Sequence, residues 1–111
     1  MDIIINADHR QIKDGDFNYS NIKSRYGVNT RYFTKDSEPY TIVAGEMHFS
    51  RLPYKRWKET LLKMRDCGIN TVSTYVFWNH HNEKKGVYDF SNDNNINAFL
   101  TICRDIKMPC I

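Results

Sequence analysis

Residues 43–90 read V-A-G-E-M-H-F-S-R-L-P-Y-K-R-W-K-E-T-L-L-K-M-R-D-C-G-I-N-T-V-S-T-Y-V-F-W-N-H-H-N-E-K-K-G-V-Y-D-F and carry the clearest secondary-structure signals of the chain. Pro53 suits a first helical turn, where the N–H that proline lacks would have no partner within the helix. Gly68 follows the run, as glycine often does at a helix end. These signals predict a helix over 53–67. Its buried face is predicted from the apolar residues at helical spacing, which are Tyr54, Trp57, Leu61 and Met64.

Strands are predicted on both sides of this helix. The segment 40–44 reads Y-T-I-V-A, and the segment 70–76 is rich in β-branched residues and ends in aromatic ones. A strand, a helix and a strand connected in this order form a βαβ unit. The two strands of such a unit run parallel.

The remainder of the C-terminal half continues this alternation. Residues 77–95 are predicted to form a long polar loop, and Asp93 and Asn94 are predicted to cap the helix that follows. Pro109 begins a third strand that includes residues 110 and 111. The second helix is predicted from apolar residues three and four apart, which are Ile96, Phe99, Leu100, Cys103 and Ile106.

The first 39 residues give weaker signals. Short strands are predicted at residues 3–5, 11–13 and 31–34, and residues 26–33 are predicted to belong to a hairpin. We therefore expect two parts, an N-terminal β-hairpin and loop segment over residues 1–39 and an α/β segment over residues 40–111.

Composition excludes several classes of protein. The 16 basic and 13 acidic residues are interspersed and give a net charge of only +3, so no nucleic-acid partner is expected. No segment approaches the roughly 20 apolar residues that cross a bilayer, so no membrane partner is expected. The N-terminus, M-D-I-I-I-N-A-D-H-R, lacks a basic leader, and we expect a cytoplasmic protein without a signal peptide.

The three cysteines, Cys67, Cys103 and Cys110, cannot all pair within one chain, and no C-x-x-C pattern is present. We expect them to be small buried apolar residues in a reducing compartment.

Three segments resemble a known family in their order and spacing. G-E-M-H-F-S-R-L-P, L-L-K-M-R-D-C-G-I-N-T-V-S-T-Y-V-F-W-N and G-V-Y-D-F are similar to the start of the catalytic barrel of glycoside hydrolase family 35, the β-galactosidases. The resemblance runs from Tyr40 to Ile111. It implies an α/β fold that is a partial (β/α)₈ TIM barrel, with two βα units and the start of the third strand, preceded by a short β-rich segment. A complete barrel takes about 250 residues.

Tyr75 is the main candidate for substrate binding. Working residues of such barrels lie at the C-terminal ends of the strands. Side chains alternate along a strand, so Tyr75 lies on the face opposite Val72, Thr74 and Val76, which are expected to pack under the helices. A phenol there suits a sugar, and the matching tyrosine of the family binds galactose. The alternative is an ordinary core aromatic residue at a strand end.

Three further residues are candidates for the rim of the pocket. Glu46 follows the first strand and either contacts substrate or serves as a hydrogen-bonded or ion-paired carboxylate. Trp78 and Asn79 match the W-N of the family and either line the rim or hold the long loop in place.

No metal or organic cofactor is expected. His80 and His81 are adjacent, and adjacent side chains on an extended segment point to opposite sides, so the two seldom bind one ion. No cluster of acidic or cysteine residues completes a metal site. The family usually reads V-P-W-N-x-H-E-P, whereas this chain has Phe77, Asn82 and Glu83 at three of these positions. The missing carboxylate at Asn82 removes a candidate ion pair with Arg51.

The resemblance assigns no catalytic residue to this chain. Retaining glycosidases use two carboxylates about 5–5.5 Å apart, and in the family these follow the fourth and seventh strands. We therefore expect a fragment of a β-galactosidase-like retaining hydrolase of terminal β-D-galactose residues, contributing framework and part of the sugar pocket. Its expected partners are a β-galactoside and another chain segment at the open sheet edge. The alternative is a non-catalytic remnant or a sugar-binding or assembly module.

Overall fold

The computed structural model describes residues 25–28 and 30–111. It divides into two compact units, residues 1–41 and residues 42–111. The strands predicted at residues 3–5 and 11–13 lie outside the described residues.

The first unit contains a three-stranded antiparallel sheet. Its strands β1 (Tyr26–Val28), β2 (Phe33–Lys35) and β3 (Glu38–Pro39) pair in the order β1-β2-β3. Asp36 and Ser37 join β2 to β3 with φ values of 52° and 70°. Positive φ at both central residues is typical of the tight turns that connect hairpin strands. The predicted hairpin corresponds to β1 and β2, which pair antiparallel, although β2 begins at Phe33, two residues later than predicted.

The second unit contains a parallel sheet. Strands β4 (Ala44–Glu46) and β5 (Thr71–Ser73) pair in parallel, with Glu46 opposite Ser73. The segment 109–111 lies on the other side of β5. The Val72 amide donates to the Pro109 carbonyl (2.8 Å), and the Ile111 amide donates to the Val72 carbonyl (2.9 Å). The predicted parallel βαβ arrangement is confirmed, with β5 in the middle.

Both strands are shorter than predicted, and the first is also displaced: β4 shares only Ala44 with the predicted segment 40–44 and continues to Glu46. The ladder is formed only by residues 44–46 and 71–73, because the chain after His48 enters a 3₁₀ turn at Phe49–Arg51. β-Branched residues favour an extended backbone, but a strand ends where its partner does. The prediction that Val76 packs under the helices is wrong, since its side chain is 48% exposed beyond the end of β5.

The first helix, α1 (Trp57–Asp66), is preceded by a 3₁₀ turn at Tyr54–Arg56, so it begins later than predicted. Its end follows the sequence signal. Gly68 has φ of 89° and its amide donates to the Arg65 carbonyl, while the Ile69 amide donates to the Met64 carbonyl. These two bonds satisfy carbonyls that the helix leaves unpaired, in the arrangement known as the Schellman motif.

The segment 77–95 is not simply a polar loop. It contains the short helix α2 (Trp78–His81) and a 3₁₀ turn at Asn92–Asn94. Helix α3 (Ile96–Asp105) is capped by Asn95, whose side-chain oxygen accepts from the Ala98 amide (2.9 Å). The predicted caps are therefore wrong by one or two residues, because Asp93 and Asn94 bond elsewhere: Asp93 accepts from the Tyr54 amide, and Asn94 donates to the His80 carbonyl.

The core of the second unit lies between the parallel sheet and the faces of α1 and α3. Phe49, Trp57 and Phe99 form an aromatic cluster with ring centroids 5.5–5.9 Å apart. The Trp57 indole N–H donates to the carbonyls of Phe49 (2.9 Å) and Leu52, which fixes the 3₁₀ turn against α1. The buried apolar residues are Met47, Phe49, Trp57, Leu61, Val72, Phe99, Cys103 and Met108.

Three further residues predicted to be buried are exposed. Tyr54 is 45% exposed because it belongs to the 3₁₀ turn and not to α1. Leu100 is 41% exposed because the buried face of α3 is centred on Phe99 and Cys103. Cys67 is exposed because it follows the last turn of α1. In the part of the chain that the structure describes, no helix has the length and apolar character needed to cross a membrane.

Candidate functional site

The candidate site is built where β4 and β5 end. Because Glu46 pairs with Ser73 in the parallel ladder, two further residues along each strand bring His48 beside Tyr75. The Tyr75 amide donates to His48 Nδ1 (3.2 Å), and the two rings stack with centroids 4.9 Å apart and an interplanar angle of 17°. Extended backbone at the end of two adjacent parallel strands is what produces this contact.

The hydrogen bonds of His48 fix its tautomer. A backbone amide can only donate, so Nδ1 is an acceptor and the ring proton lies on Nε2. His48 Nε2 lies 2.7 Å from Glu46 Oε1, so the imidazole N–H donates to this carboxylate. Glu46 therefore serves as a hydrogen-bonded group that orients His48. His48 in turn stacks on one face of the Tyr75 ring and accepts from its amide.

Tyr75 presents its phenol to the outside of this arrangement. Its side chain is 60% exposed, while His48 covers one face of its ring. Phe77 meets both rings edge-on, with centroids 5.1 Å from His48 and 6.2 Å from Tyr75. Among the described residues, the ring of Tyr75 is therefore held by His48 and Phe77 while more than half of its surface stays exposed.

Trp78 and Asn79 lie nearby on α2 but do not join this stack. Trp78 is 60% exposed and pairs with Tyr88, at 5.6 Å between ring centroids. Asn79 is also exposed. The two residues are therefore placed on the surface of the 77–95 segment, with Trp78 in contact with a residue of the same segment.

Arg51 has an aromatic partner at this edge. Its guanidinium carbon lies 4.6 Å from the centroid of the Phe77 ring, a cation–π contact. Asn82, which stands where the family usually has a glutamate, instead donates its side-chain amide to the Val87 carbonyl (3.0 Å). Phe77 thus gives Arg51 a contact that does not require a carboxylate at position 82.

His81 is completely buried and holds the 77–95 segment against the core. Its Nδ1 lies 2.9 Å from the Asp89 carbonyl oxygen, so this nitrogen carries the proton and donates. The ring stacks on Phe90 at 4.7 Å and lies 5.9 Å from Phe49. Its Nε2 has no hydrogen-bond partner among the described residues. Within that same part of the chain, no group of three or more histidine, cysteine or acidic side chains could hold a metal ion.

Sequence reasoning missed the contact between His48 and Tyr75. The two residues are 27 positions apart, and no local pattern links them. A signal was available in the βαβ unit, because pairing of Glu46 with Ser73 places the residues two positions further along opposite one another. The strand boundaries predicted from composition did not specify that register.

Comparison with known proteins identifies the family of this chain. The model of the glycosyl hydrolases family 35 matches residues 32–111. A protein named beta-galactosidase from Xanthomonas manihotis is 43% identical over 75 residues, which is 68% of this chain and 12% of that protein. Human beta-galactosidase is 40% identical over 79 residues, covering 71% of this chain and 12% of its own length. Mouse beta-galactosidase-1-like protein 3 is 37% identical over 97 residues, which cover 80% of this chain and 15% of that protein.

These similarities define the class as the glycosyl hydrolases. More narrowly, the chain belongs to glycosyl hydrolase family 35. It spans about an eighth of the length of the curated relatives it matches.

Proposed function

We propose that this chain is part of a β-galactosidase-like retaining glycoside hydrolase that removes terminal non-reducing β-D-galactose residues. The observation that carries the proposal is the family match over residues 32–111, on a segment whose parallel strands end at an exposed, supported tyrosine. The relatives named beta-galactosidase support the choice of sugar.

The architecture proposed for the complete protein is a (β/α)₈ barrel. This chain supplies its first two βα units and the beginning of its third strand, preceded by the hairpin segment. The parallel order of β4, β5 and residues 109–111, with α1 and α3 as the connections, supports this assignment. In such barrels the loops at the C-terminal ends of the strands form the active site, and this is the edge that carries His48 and Tyr75.

Tyr75 is proposed to bind the galactose. Its hydroxyl can donate one hydrogen bond and accept another, and the exposed face of its ring can cover an apolar face of the sugar. Glu46 is proposed to lie at the rim while it orients His48. Trp78 and Asn79 are proposed as outer rim positions, supported by their exposure on α2.

The reacting carboxylates are proposed to come from residues beyond these 111. A retaining mechanism needs one carboxyl group as acid and base and another as nucleophile, about 5–5.5 Å apart, so that a covalent glycosyl-enzyme forms and is hydrolysed. Neither role is assigned to Glu46, whose carboxylate is engaged by His48. This chemistry uses two carboxylates and water, and we propose that no cofactor takes part.

The test is hydrolysis of an aryl β-D-galactoside by the natural polypeptide that contains these residues. We expect turnover with the β-configured sugar released first, observed by NMR during the reaction. An aryl β-D-glucoside is the matched control and should be hydrolysed much more slowly. A polypeptide of residues 1–111 alone should not turn over either compound. Activity of that short polypeptide that persists after repeated purification, or inversion at the anomeric carbon, would contradict the proposal.

A non-catalytic sugar-binding or assembly module is the second candidate. The exposed pair of Trp78 and Tyr88 and the free outer side of β4 in the described sheet favour it. Saturable binding of galactose by the natural polypeptide without hydrolysis of any β-galactoside would select this function over the first.

A further inference from the structure

Two cysteines lie together away from the candidate site. Cys103 is on the inner face of α3 and is 2% exposed, and Cys110 belongs to the strand segment 109–111 and packs against the same core. Cys67, the third cysteine, is exposed at the end of α1. The function proposed above uses none of these thiols.

The turn after α3 brings Cys110 back onto Cys103. The Met108 amide donates to the Cys103 carbonyl (2.9 Å), which places the start of the third strand against the last turn of α3. Side chains two apart on an extended segment point to the same side, so Cys110 projects with the buried Met108 towards the core. Cys110 also pairs with Val72 of β5 and packs against the apolar core that contains Cys103.

The pKa values of the two neighbouring thiols are shifted in opposite directions. The neighbouring Cys110 thiol and burial both raise the pKa of the Cys103 thiol, so Cys103 keeps its proton. The neighbouring Cys103 thiol lowers the pKa of Cys110. Since the thiolate is the nucleophile in thiol–disulfide exchange, Cys110 is the thiol that reacts first.

We propose that Cys103 and Cys110 form a reversible disulfide that ties α3 to the third strand, with a low-molecular-weight disulfide such as oxidised glutathione as the oxidant. The Cys110 thiolate attacks one glutathione sulfur and releases the other as a thiolate. Cys110 then carries no negative charge, so Cys103 gives its proton to the released thiolate. The Cys103 thiolate attacks the Cys110 sulfur and expels the second glutathione, which takes a proton from water. Two protein thiols are oxidised, and one glutathione disulfide is reduced to two thiols.

The test uses the natural polypeptide with Cys67→Ser, which removes the exposed thiol and leaves the proposed pair unchanged. The protein is incubated with oxidised glutathione, remaining thiols are alkylated, and the product is digested with trypsin without reductant. Arg104 and Lys107 lie between the two cysteines, so trypsin separates them unless a disulfide joins their peptides. We expect the linked peptides as the main product, and their disappearance when a reductant is added.

Two controls distinguish a Cys103–Cys110 disulfide that depends on the folded structure from random oxidation of cysteines. The same treatment in concentrated urea should give a rate of linkage roughly tenfold or more lower, because the fold raises the effective concentration of one thiol at the other. A second substitution, Cys110→Ser, should abolish the linked peptides and leave Cys103 alkylated only after unfolding. Glutathione that stays on Cys110 while Cys103 remains free would overturn the proposal. Equal rates of disulfide formation in urea and in buffer would also overturn it. The proposal would be overturned as well if neither Cys103 nor Cys110 reacted with oxidised glutathione while Cys67 of the unsubstituted protein did.

Discussion

The hydroxyl of Tyr75 is the group on which the proposed sugar contact depends. The ring is held by His48 on one face and by the backbone bond from its own amide, so removal of the hydroxyl leaves that packing in place. In the complete enzyme proposed above, Tyr75→Phe deletes one neutral hydrogen bond, about 0.5–1.5 kcal/mol, or more if a sugar hydroxyl is left buried without a partner. We expect kcat/KM for β-galactosides to fall about three- to thirtyfold with little change in folding stability.

The matched control for Tyr75→Phe is Tyr54→Phe. Tyr54 is another exposed tyrosine, but it packs edge-on against Trp57 at the start of α1. The same chemical change there should leave kcat/KM unaltered. Thr74→Val is a less suitable control, because the Thr74 hydroxyl oxygen lies 3.4 Å from the Phe49 amide that it accepts from. Full kcat/KM in Tyr75→Phe would show that this residue only packs.

Some features of the site could be predicted at the scale of single residues and others could not. The place of Tyr75 at the C-terminal edge follows from the βαβ order. Its exposure does not follow from strand alternation, because Val76, the next residue along the chain, is also exposed beyond the end of β5. The support of Tyr75 by His48 depends on the register between two strands 27 residues apart. Register is determined by the packing of whole elements, so a local pattern does not contain it.

Among the elements, the close approach of β4 to α1 depends on a glycine. A Cβ added at Gly45 would lie 2.5 Å from Ile69 Cδ1 and 2.7 Å from Met64 Cε. Both atoms are the ends of flexible side chains that can move aside, so Gly45→Ala should cost about 1 kcal/mol of stability, at the low end for overpacking. Ile69→Val removes the Cδ1 atom and should recover part of this loss in the double variant, measured by urea unfolding of the natural polypeptide.

Gly68→Ala is the control for this double-variant cycle. Gly68 has positive φ and open space around its Cα, so an added Cβ costs about 1–2 kcal/mol through the backbone conformation alone. Ile69→Val should not recover that loss. Equal recovery in both backgrounds would mean that Gly45 is not constrained by contact with Ile69.

The turn that leads into α3 should respond to pH. The Ser91 hydroxyl (2.6 Å) and amide (2.8 Å) donate to Asp89 Oδ1 and hold the pKa of this carboxyl below its usual range. The folded pKa is lower than the unfolded one, so the stabilisation is complete above about pH 4 and is lost as the pH falls through the lowered pKa. We expect the Ser91 amide resonance to titrate with a midpoint below about 4.

Asp89→Asn provides the control for this titration. The asparagine oxygen can still accept from the Ser91 amide, but the side chain does not ionise in this range. The Ser91 resonance should then be independent of pH over the same interval. A midpoint in the unsubstituted protein at or above the ordinary aspartate value would contradict the role given to these hydrogen bonds.

The element boundaries show where sequence signals are sufficient. The end of α1 at Gly68 was predicted, because a left-handed residue is a local requirement that glycine meets at low cost. The cap of α3 was not, because Asp93, Asn94 and Asn95 are all suitable residue types. Contacts with Tyr54 and His80 engage the first two and leave Asn95 for the helix.

For the molecule as a whole, the sheet of the second unit leaves apolar surface uncovered. Side chains of Ile42, Val43, Val76 and Ile111 are between 38% and 65% exposed, and they flank a sheet with few paired residues. A polypeptide of residues 1–111 alone should therefore associate or remain loosely packed. Light scattering coupled to size-exclusion chromatography and a thermal scan test this. A monomer with a sharp, reversible thermal transition would contradict it.

The two tryptophans of the chain are placed so differently that they can be observed separately. Trp57 is 1% exposed and both hydrogen-bonded and enclosed by aromatic rings, whereas Trp78 is 60% exposed. In the described fold, iodide should quench the fluorescence of Trp78 and spare that of Trp57, whose emission should lie at shorter wavelengths. A ligand at the outer rim would shield Trp78 from iodide, whereas loss of the core would expose Trp57. The fluorescence spectrum therefore distinguishes ligand binding from unfolding.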